Sequence, residues 1–593
     1  MQGDNEEAKL VHRQGLTLQG QGKLAEAEEF LLRSIQLDPE QSTFHNNYGS
    51  LLGQRGRYTQ AANAFRRAIA LEPTYAKARA NLALALIKDA RFAEAEAEAR
   101  KAVELQPALP EAHAALGSAL SSLDRPMAAI HAFQRALELR PDFRDAVLHL
   151  SKLLGDLGRQ EAGIDLLRKA ITQLPHDVGL HGNLLYALHH TAGDDGSLLL
   201  SEHRAWANRH AEPLQNEIRP HGNDRTPDRR LRVGYVSADF REHPASRFLL
   251  PLIEAHDRTH VEVFCYSDVR RPDSLTHRCK AASDQWRETT GCSDQALAEL
   301  VRQDGIDILI DPTGHMAYNR LLTFARRPAP VQIAYFGYPG TVAMKAIEYR
   351  ITDALLDPPG LTEHHYTEKL VRVIPSAMVW APLTATPDVG PLPALSNGYI
   401  TFGALNRLSK VNPLIIGLWA QALAAVPQSR LLLLSPTVSE VEAEQEVRQF
   451  FARNGVPSHR LELAPRSPRE SYLKLFNLID VHLDTFPYNG CTTTCDGLWM
   501  GVPTITLAGR AYASRIGVSL LSQVGLSDMI ANALEEFVAI ATRFASNLPR
   551  LAELRSCLRQ RMKDSPLMDA KSLARGMEAA YRTAWNEWCS QTS

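Results

Sequence analysis

The sequence predicts an α plus α/β protein, an N-terminal α-superhelix followed by two Rossmann-like lobes. Three observations carry this prediction. Apolar, turn and proline positions recur at thirty-four-residue intervals through the first third of the chain. After about residue 229, short β-branched runs alternate with helical stretches, and a Pro-rich segment divides that part into two series.

The repeats come first. Pro39, Pro73, Pro107, Pro141 and Pro175 keep one beat with a single extra residue at the last step, and Leu18, Leu52, Leu86, Leu120, Leu154 and Leu188 keep it too. Ala27, Ala61, Ala95 and Ala129 follow it, as do Lys23, Arg57, Arg91, Arg125 and Arg159, each just after Gly22, Gly56, Ala90, Asp124 or Gly158. Two apolar helical stripes, a turn between them and a closing proline resemble the tetratricopeptide repeat. One such hairpin cannot bury its own apolar face, so the units must stack and leave a concave surface free for binding. Residues 5–190 are read as five repeats plus a further helix, and 191–228, polar and turn-rich around a helical stretch near His203 to His210, as a connector.

The first α/β series, 229–384, contains LRVGYVS, VEVFCYS, IDILID and VQIAYFG; the Pro-rich hinge is 385–398. The second, 399–575, contains YITFGAL, RLLLLSP, LELAP, DVHLDTF and PTITLAG, and a C-terminal helix is expected over 576–593. Alternation of this kind indicates parallel sheets with crossover helices, and ligands of such folds bind beyond the carboxyl ends of the strands.

Composition narrows the partners. The chain has 593 residues, 65 basic and 67 acidic, so charge provides no reason to expect nucleic acid or an anionic membrane. The start lacks an apolar secretory core and no run of about eighteen apolar residues occurs, which leads us to expect a soluble, cytoplasmic protein without a membrane span. Seven scattered cysteines do not form a disulfide framework.

Several stretches can carry chemistry. In DTFPYNGCTTTCDGLWMGVP, a strand ends near Asp484 and a helix starts at Thr492 to Thr494, where free N–H groups suit a phosphate; Asp496 is placed to accept from a ribose hydroxyl. Simple N-capping by a threonine is the plainer alternative. In FGALNRLSKVNP, Arg407 and Lys410 are cations at a strand-to-helix loop that can neutralise a diphosphate, or else solvated surface charges. In LAPRSPRESYLK, backbone groups at Ala464 and Arg466 and the ring of Tyr472 can hold a planar base. His243 in the first series is a candidate base or sugar contact, or a structural histidine. Gly337 and Pro339 in FGYPGT are read as letting a sugar approach the backbone. Asn47, Asn81 and Asn183 share one repeat column and are candidate contacts to an acceptor chain. No Asp-x-Asp pair and no GxxxxGK[ST] loop occurs, and Cys491 and Cys495 lack partners for zinc, so no metal or cofactor is expected.

Together, the repeats, HPAS, RPAPVQIAYFGYPGT, FGALNRLSKVNP and NGCTTTCDGLWMGVP resemble the O-linked N-acetylglucosamine transferase family, which includes the plant Spindly proteins. The resemblance implies a GT-B, inverting, metal-independent enzyme that moves N-acetylglucosamine from UDP to Ser or Thr hydroxyls of intracellular proteins. It implies His243 at the sugar and acceptor end, Arg407 and Lys410 on the diphosphate, and Ala464, Pro465 and Arg466 at the uracil with Tyr472 stacked on it. It also implies Thr492 and Thr493 on phosphate, Asp496 on the ribose, and acceptor proteins in the repeat groove. Cys491 and Tyr472 stand where many members carry histidine. Another donor, such as GDP-fucose, and a repeat scaffold with inactive lobes remain as alternatives.

Overall fold

The computed structural model describes residues 2–435 and 440–591. These residues form two compact units, one of 1–154, 165–174 and 436–445, the other of 155–164, 175–435 and 446–593.

Repeat helices run in hairpins, Gln2–Gly20 with Leu24–Leu37, Ser42–Gln54 with Tyr58–Leu71, Ala76–Lys88 with Phe92–Leu105 and Pro110–Ser122 with Pro126–Leu139. Arg144–Asp156 and Gln160–Gln173 follow in the same register. The in-phase columns have physical causes. Gly22, Gly56, Ala90, Asp124 and Gly158 all have positive φ, between 57° and 79°, so the hairpin turn is left-handed in every repeat. Ala27, Ala61, Ala95 and Ala129 have no exposed surface, because a larger side chain there would push the paired helices apart.

The region read as a connector is more regular than expected. Residues 196–210 form a helix, Gly196–His210, started by Asp195 accepting from Leu198 N at 2.9 Å, and it continues the hairpin series after Val178–Ala192. Its buried face mixes Leu199, Leu200 and Ala207 with His203, Trp206 and His210.

The second unit holds both sheets, all of whose strands are parallel. The first contains β1 (Leu231–Ser237), β2 (Val261–Ser267), β3 (Gln285–Glu288), β4 (Ile308–Asp311), β5 (Val331–Tyr335), β6 (Tyr349–Thr352) and β7 (Lys369–Arg372), in the order β3-β2-β1-β4-β5-β6-β7. The second contains β8 (Thr401–Ala404), β9 (Arg430–Ser435), β10 (Leu461–Pro465), β11 (Val481–Leu483), β12 (Thr504–Leu507) and β13 (Ile530–Ala531), in the order β10-β9-β8-β11-β12-β13. Each order reverses once, between β1 and β4 and between β8 and β11, and these reversals open the crevices where ligands of such sheets bind. One continuous buried cluster, from Val233 through Phe402 and Leu483 to Trp585, runs through both lobes.

The C-terminal helix begins at Ala570, earlier than expected, and extends to Ser590; residues 592 and 593 lie outside the described residues. It returns to the first lobe. Tyr581 Oη lies 2.9 Å from Tyr235 Oη, Glu578 Oε1 lies 2.8 Å from His256 Nδ1, and Glu587 accepts from Tyr349 Oη and Lys369 Nζ, both at 2.6 Å. Trp585 is fully buried beneath the Arg229 guanidinium. Trp585→Ala should cost about 3–5 kcal/mol, measured as a lower midpoint of chemical unfolding followed by a probe in the first lobe.

Candidate active site

Two loops leave the second sheet at its reversal, one after β8 and one after β11. The first, 405–412, carries Arg407 and Lys410 through a 3₁₀ turn at Leu408–Lys410. Asn412 closes it by accepting from Ile415 N at 3.1 Å, which starts the helix Pro413–Ala425, and by donating to the Phe486 carbonyl at 2.7 Å. The second loop begins at Asp484 and ends where the helix Thr492–Trp499 starts.

Asp484 organises the second loop. Its buried carboxylate accepts from Gly490 N at 2.6 Å, Thr485 N at 2.8 Å and Thr506 Oγ1 at 2.8 Å. Burial raises its pKa, opposed by these hydrogen bonds and by the Lys410 charge. Lys410, half-buried, donates from Nζ to the Asn489 carbonyl at 2.7 Å and sits 3.6 Å from the centre of the Tyr488 ring. Burial lowers its pKa, and the Asp484 carboxylate opposes the fall. The result is a desolvated ammonium beside the first turn of a helix, whose unpaired N–H groups also attract anions.

That helix is not capped by a threonine. Its N-cap is Cys491, whose side chain makes no capping bond, so the plainer reading of Thr492 and Thr493 as caps does not describe this turn. Burial pushes the Cys491 thiol up to about 12, leaving it protonated, and raises that of Cys495 as well. Among the described residues no cluster of three or more His, Cys, Asp or Glu is arranged to hold a metal ion.

Toward the β10 edge of the sheet, Ala464 is buried at the strand end, Pro465 and Arg466 are exposed, and Tyr472 lies half-buried in the helix Arg469–Leu475. β10 lies two strand spacings from β8, roughly 10 Å, a separation a nucleoside can span between its phosphates and its base. The Tyr472 hydroxyl bonds Thr493, joining the two regions.

Asp496 is placed differently from the expectation. Both of its oxygens bond the Arg469 guanidinium, so the carboxylate read as a ribose acceptor is already paired inside the protein. Burial raises its pKa and Arg469 opposes this. Arg469 was not singled out in the sequence, although it stands in the same PRSPRES stretch as Arg466; its role depends on a partner twenty-seven residues away. Arg247 of the first lobe adds its charge to this pair and donates to the Pro382 carbonyl at 2.7 Å.

In the first lobe, His243 follows β1, with Nδ1 3.4 Å from Asp239 Oδ2 and accepting from Ala245 N at 3.3 Å. Burial, then the Arg241 and Arg407 charges, hold its pKa down to about 4. It is therefore neutral at neutral pH and faces Arg407 of the other lobe. With Nδ1 accepting, Nε2 carries the hydrogen and is a donor.

Around Gly337 and Pro339 the protein's own backbone comes close. A Cβ on Gly337 would stand 1.9 Å from the Pro312 carbonyl oxygen, so the missing side chain makes room for the protein's own backbone, and Pro339 is buried. Their loop is held instead by Arg350, which donates to the carbonyls of Tyr338 at 2.6 Å and Gly340 at 2.7 Å, and by His203 Nε2, 2.7 Å from Tyr338 Oη. The asparagines are also partly engaged. Asn81 donates to Asn46 at 2.9 Å, Asn46 to Asn47 at 3.1 Å, and Asn47 Nδ2 lies 3.2 Å from His12 Nε2, while Asn183 donates to the Gly179 carbonyl at 2.8 Å.

An open cavity of about 980 Å³ lies behind these loops, between Asn412, Phe486 and Pro487 on one side and Asp194, His365 and Arg510 on the other. It does not contain Lys410 or Thr492.

Two parallel-sheet lobes, a desolvated cation and an open helix start at a strand-order reversal, and helical repeats in the same chain define a two-lobed glycosyltransferase with tetratricopeptide repeats. The model of glycosyl transferase family 41 matches residues 167–379 and 392–577, and tetratricopeptide-repeat models match 3–41, 49–89, 76–109 and 114–178. The chain belongs to glycosyl transferase family 41. A barley protein (Hordeum vulgare) named probable UDP-N-acetylglucosamine–peptide N-acetylglucosaminyltransferase SPINDLY is 40% identical over 412 residues, 69% of this chain and 43% of that one. A Caenorhabditis elegans UDP-N-acetylglucosamine–peptide N-acetylglucosaminyltransferase is 26% identical over 476 residues, 60% of this chain and 41% of that one. This chain thus spans less than half the length of these curated relatives. The structure of a mutant Thermobaculum terrenum O-GlcNAc transferase superposes with a TM-score of 0.73 at 35% identity, covering 93% of this chain and 98% of that one.

Arg469→Met leaves the buried Asp496 carboxylate with no directly bonded cation, only the Arg247 charge nearby, and should destabilise the protein by about 3 kcal/mol. Adding Asp496→Leu should recover most of that loss, as read by urea unfolding of the two variants side by side.

Proposed function

We propose that this protein transfers N-acetylglucosamine from UDP to Ser or Thr hydroxyls of proteins, with inversion and without a metal ion. The observation that carries the reading is the Lys410 ammonium, buried over Tyr488 beside the start of the Thr492 helix, where two loops meet at the reversal of the second sheet. The names of the relatives support the donor and the acceptor class.

In this reading the acceptor hydroxyl oxygen attacks C1 of the sugar from the face opposite the diphosphate. The C1–O bond breaks, its electron pair passes to the β-phosphate oxygen, and Lys410, Arg407, the Thr492 and Thr493 hydroxyls and the helix N–H groups take up the developing charge. Tyr472 stacks on the base and the backbone at Ala464 to Arg466 meets its edge. Neutral His243 donates from Nε2 to the sugar; its low pKa makes it a weak proton acceptor, which argues against its serving as the main base. Acceptor proteins bind along the repeats, where Asn47, Asn81 and Asn183 share one column and can exchange their present hydrogen bonds for a peptide backbone. The acceptor hydroxyl's proton passes to water as the new C1–O bond forms.

A second reading changes the donor. The pairing of Asp496 with Arg469, together with Cys491 and Tyr472 in place of histidines, alters the surroundings of the ribose and phosphates, and a carrier such as GDP would then bind better than UDP. Calorimetric titration with UDP and GDP, each with and without EDTA, separates the readings. Tighter UDP binding that EDTA leaves unchanged supports the first; binding of neither nucleotide defeats both.

Lys410→Ala should lower kcat about 100-fold or more, with the melting temperature little changed; an unchanged rate would remove Lys410 from the chemistry. The pH dependence has a definite sign. Lys410 must be charged, and burial places its pKa in the free enzyme below the ordinary 10.5, so kcat/KM should fall as pH rises toward that value. A bound diphosphate pulls the pKa back up, so the alkaline limb of kcat should lie at higher pH than that of kcat/KM. Parallel pH profiles of the two constants test this. His243→Ala should leave the profile between pH 5 and 7 in place, because His243 gains its proton only near pH 4.

A further inference from the structure

Position 160 breaks a column of the repeats. The residues one, two, three and four repeats earlier are Pro126, Phe92, Tyr58 and Leu24, all apolar, and each opens the second helix of its hairpin. Gln160 opens the corresponding helix in the fifth repeat. The preceding column departs in the same place. Arg57 pairs with Glu28, Arg91 with Glu94 and Arg125 with Glu96, all within the repeats, whereas Arg159 pairs with Glu446.

The polar change has a partner. Gln160 Nε2 donates to the carbonyls of Leu408 at 3.1 Å, Ser409 at 2.9 Å and Val411 at 3.1 Å. These residues flank Lys410 on both sides. The two hydrogens of this amide are shared among the three carbonyls, of which that of Leu408 also accepts from Val411 N at 2.9 Å within the turn. Four residues earlier, the Asp156 carboxylate stands 3.7 Å from the Arg466 guanidinium, in the loop read as facing the base. Residues 155–164, though in register with the repeats, belong to the second unit. A single repeat turn therefore holds both loops between which the nucleotide is read to bind.

We infer that Gln160 is a positioning residue of the donor site: by gathering the carbonyls of 408, 409 and 411, it sets the height of Lys410 over Tyr488. The inference rests on the reading of Lys410 as the group that stabilises the leaving diphosphate. Three further contacts constrain Lys410, namely the Asn489 carbonyl, the Tyr488 ring and the Asp484 charge, and none of them fixes the backbone that carries it. Gln160 and Asn412 do.

The substitutions distinguish positioning from general support. Gln160→Ala removes the donor; Gln160→Glu keeps the shape but turns a carboxylate toward three carbonyl oxygens, and regains one donor when it protonates. Tyr58→Ala, in the same column of the second repeat, is the control. In the full chain, Gln160→Ala should lower kcat about five- to tenfold, with the KM for acceptor peptide within about twofold and the melting temperature close to that of the parent. Gln160→Glu should be slower than Gln160→Ala at pH 8 and should approach it, or pass it, as the pH falls toward 5, relative to the parent at each pH. In a Lys410→Ala background, Gln160→Ala should have no further effect on rate.

Amide hydrogen exchange across residues 408–412 of the ligand-free protein adds a readout independent of the donor. It should quicken in Gln160→Ala and not in Tyr58→Ala. Unchanged exchange there, or equal losses of rate in the parent and Lys410→Ala backgrounds, would overturn the inference. Should the parent bind neither UDP nor GDP, the functional reading falls, and the exchange result still decides whether Gln160 holds the loop.

Discussion

Lys410 places its ammonium 3.6 Å from the centre of the Tyr488 ring and 2.7 Å from the Asn489 carbonyl, with the buried Asp484 carboxylate close by. Burial favours the uncharged amine, while the carbonyl, the ring face and the carboxylate favour the charged one. Much of the second lobe serves this balance. Asp484 stays ionised only because Gly490, Thr485 and Thr506 donate to it, and those bonds also shape the loop that ends at Cys491. Tyr488 in turn is packed by Tyr186 and His190 from the helix Val178–Ala192. A cation, a carboxylate and a ring that must each be desolvated together explain why two loops, one from each side of a strand-order reversal, converge here.

The same logic of desolvated groups held by distant partners recurs around the cleft. Arg350 is buried with both terminal nitrogens on the carbonyls of Tyr338 and Gly340, which fixes the loop after β5 without any ligand. Arg469 and Asp496 neutralise one another beside Tyr472. His243 is kept neutral by burial and by two arginines, and its Nδ1 accepts from Ala245 N. These arrangements place rigid, prepaired polar groups at the carboxyl ends of both sheets, where electrostatic stabilisation requires no reorganisation when charge moves.

The site motifs were legible to different depths. Arg407, Lys410 and the Thr492 helix start could be found because each follows an apolar strand run by a few residues, and strand ends in parallel sheets point into the crevice. Asp484 and Tyr488 lay inside a motif already quoted, yet their roles depend on Thr506 and Lys410, which are remote in the chain. At Gly337 a small residue reports only that something comes close, and one such neighbour is the Pro312 carbonyl.

By itself the sequence determined the repeat period, the turn positions, the two series of parallel strands and the loops that carry the cations. All of these are local properties: periodicity, turn chemistry and the residues just beyond a strand. Only the tertiary structure decided that Asp496 is paired with Arg469, that Pro339 is buried, that the last helix returns to the first lobe and that Gln160 reaches the loop of Lys410. Most of these join groups from separate elements, such as Tyr235 and Tyr581, 346 residues apart. Hydrogen bonding and burial act through space, and a chain met as text records the donors and acceptors without recording which of them meet.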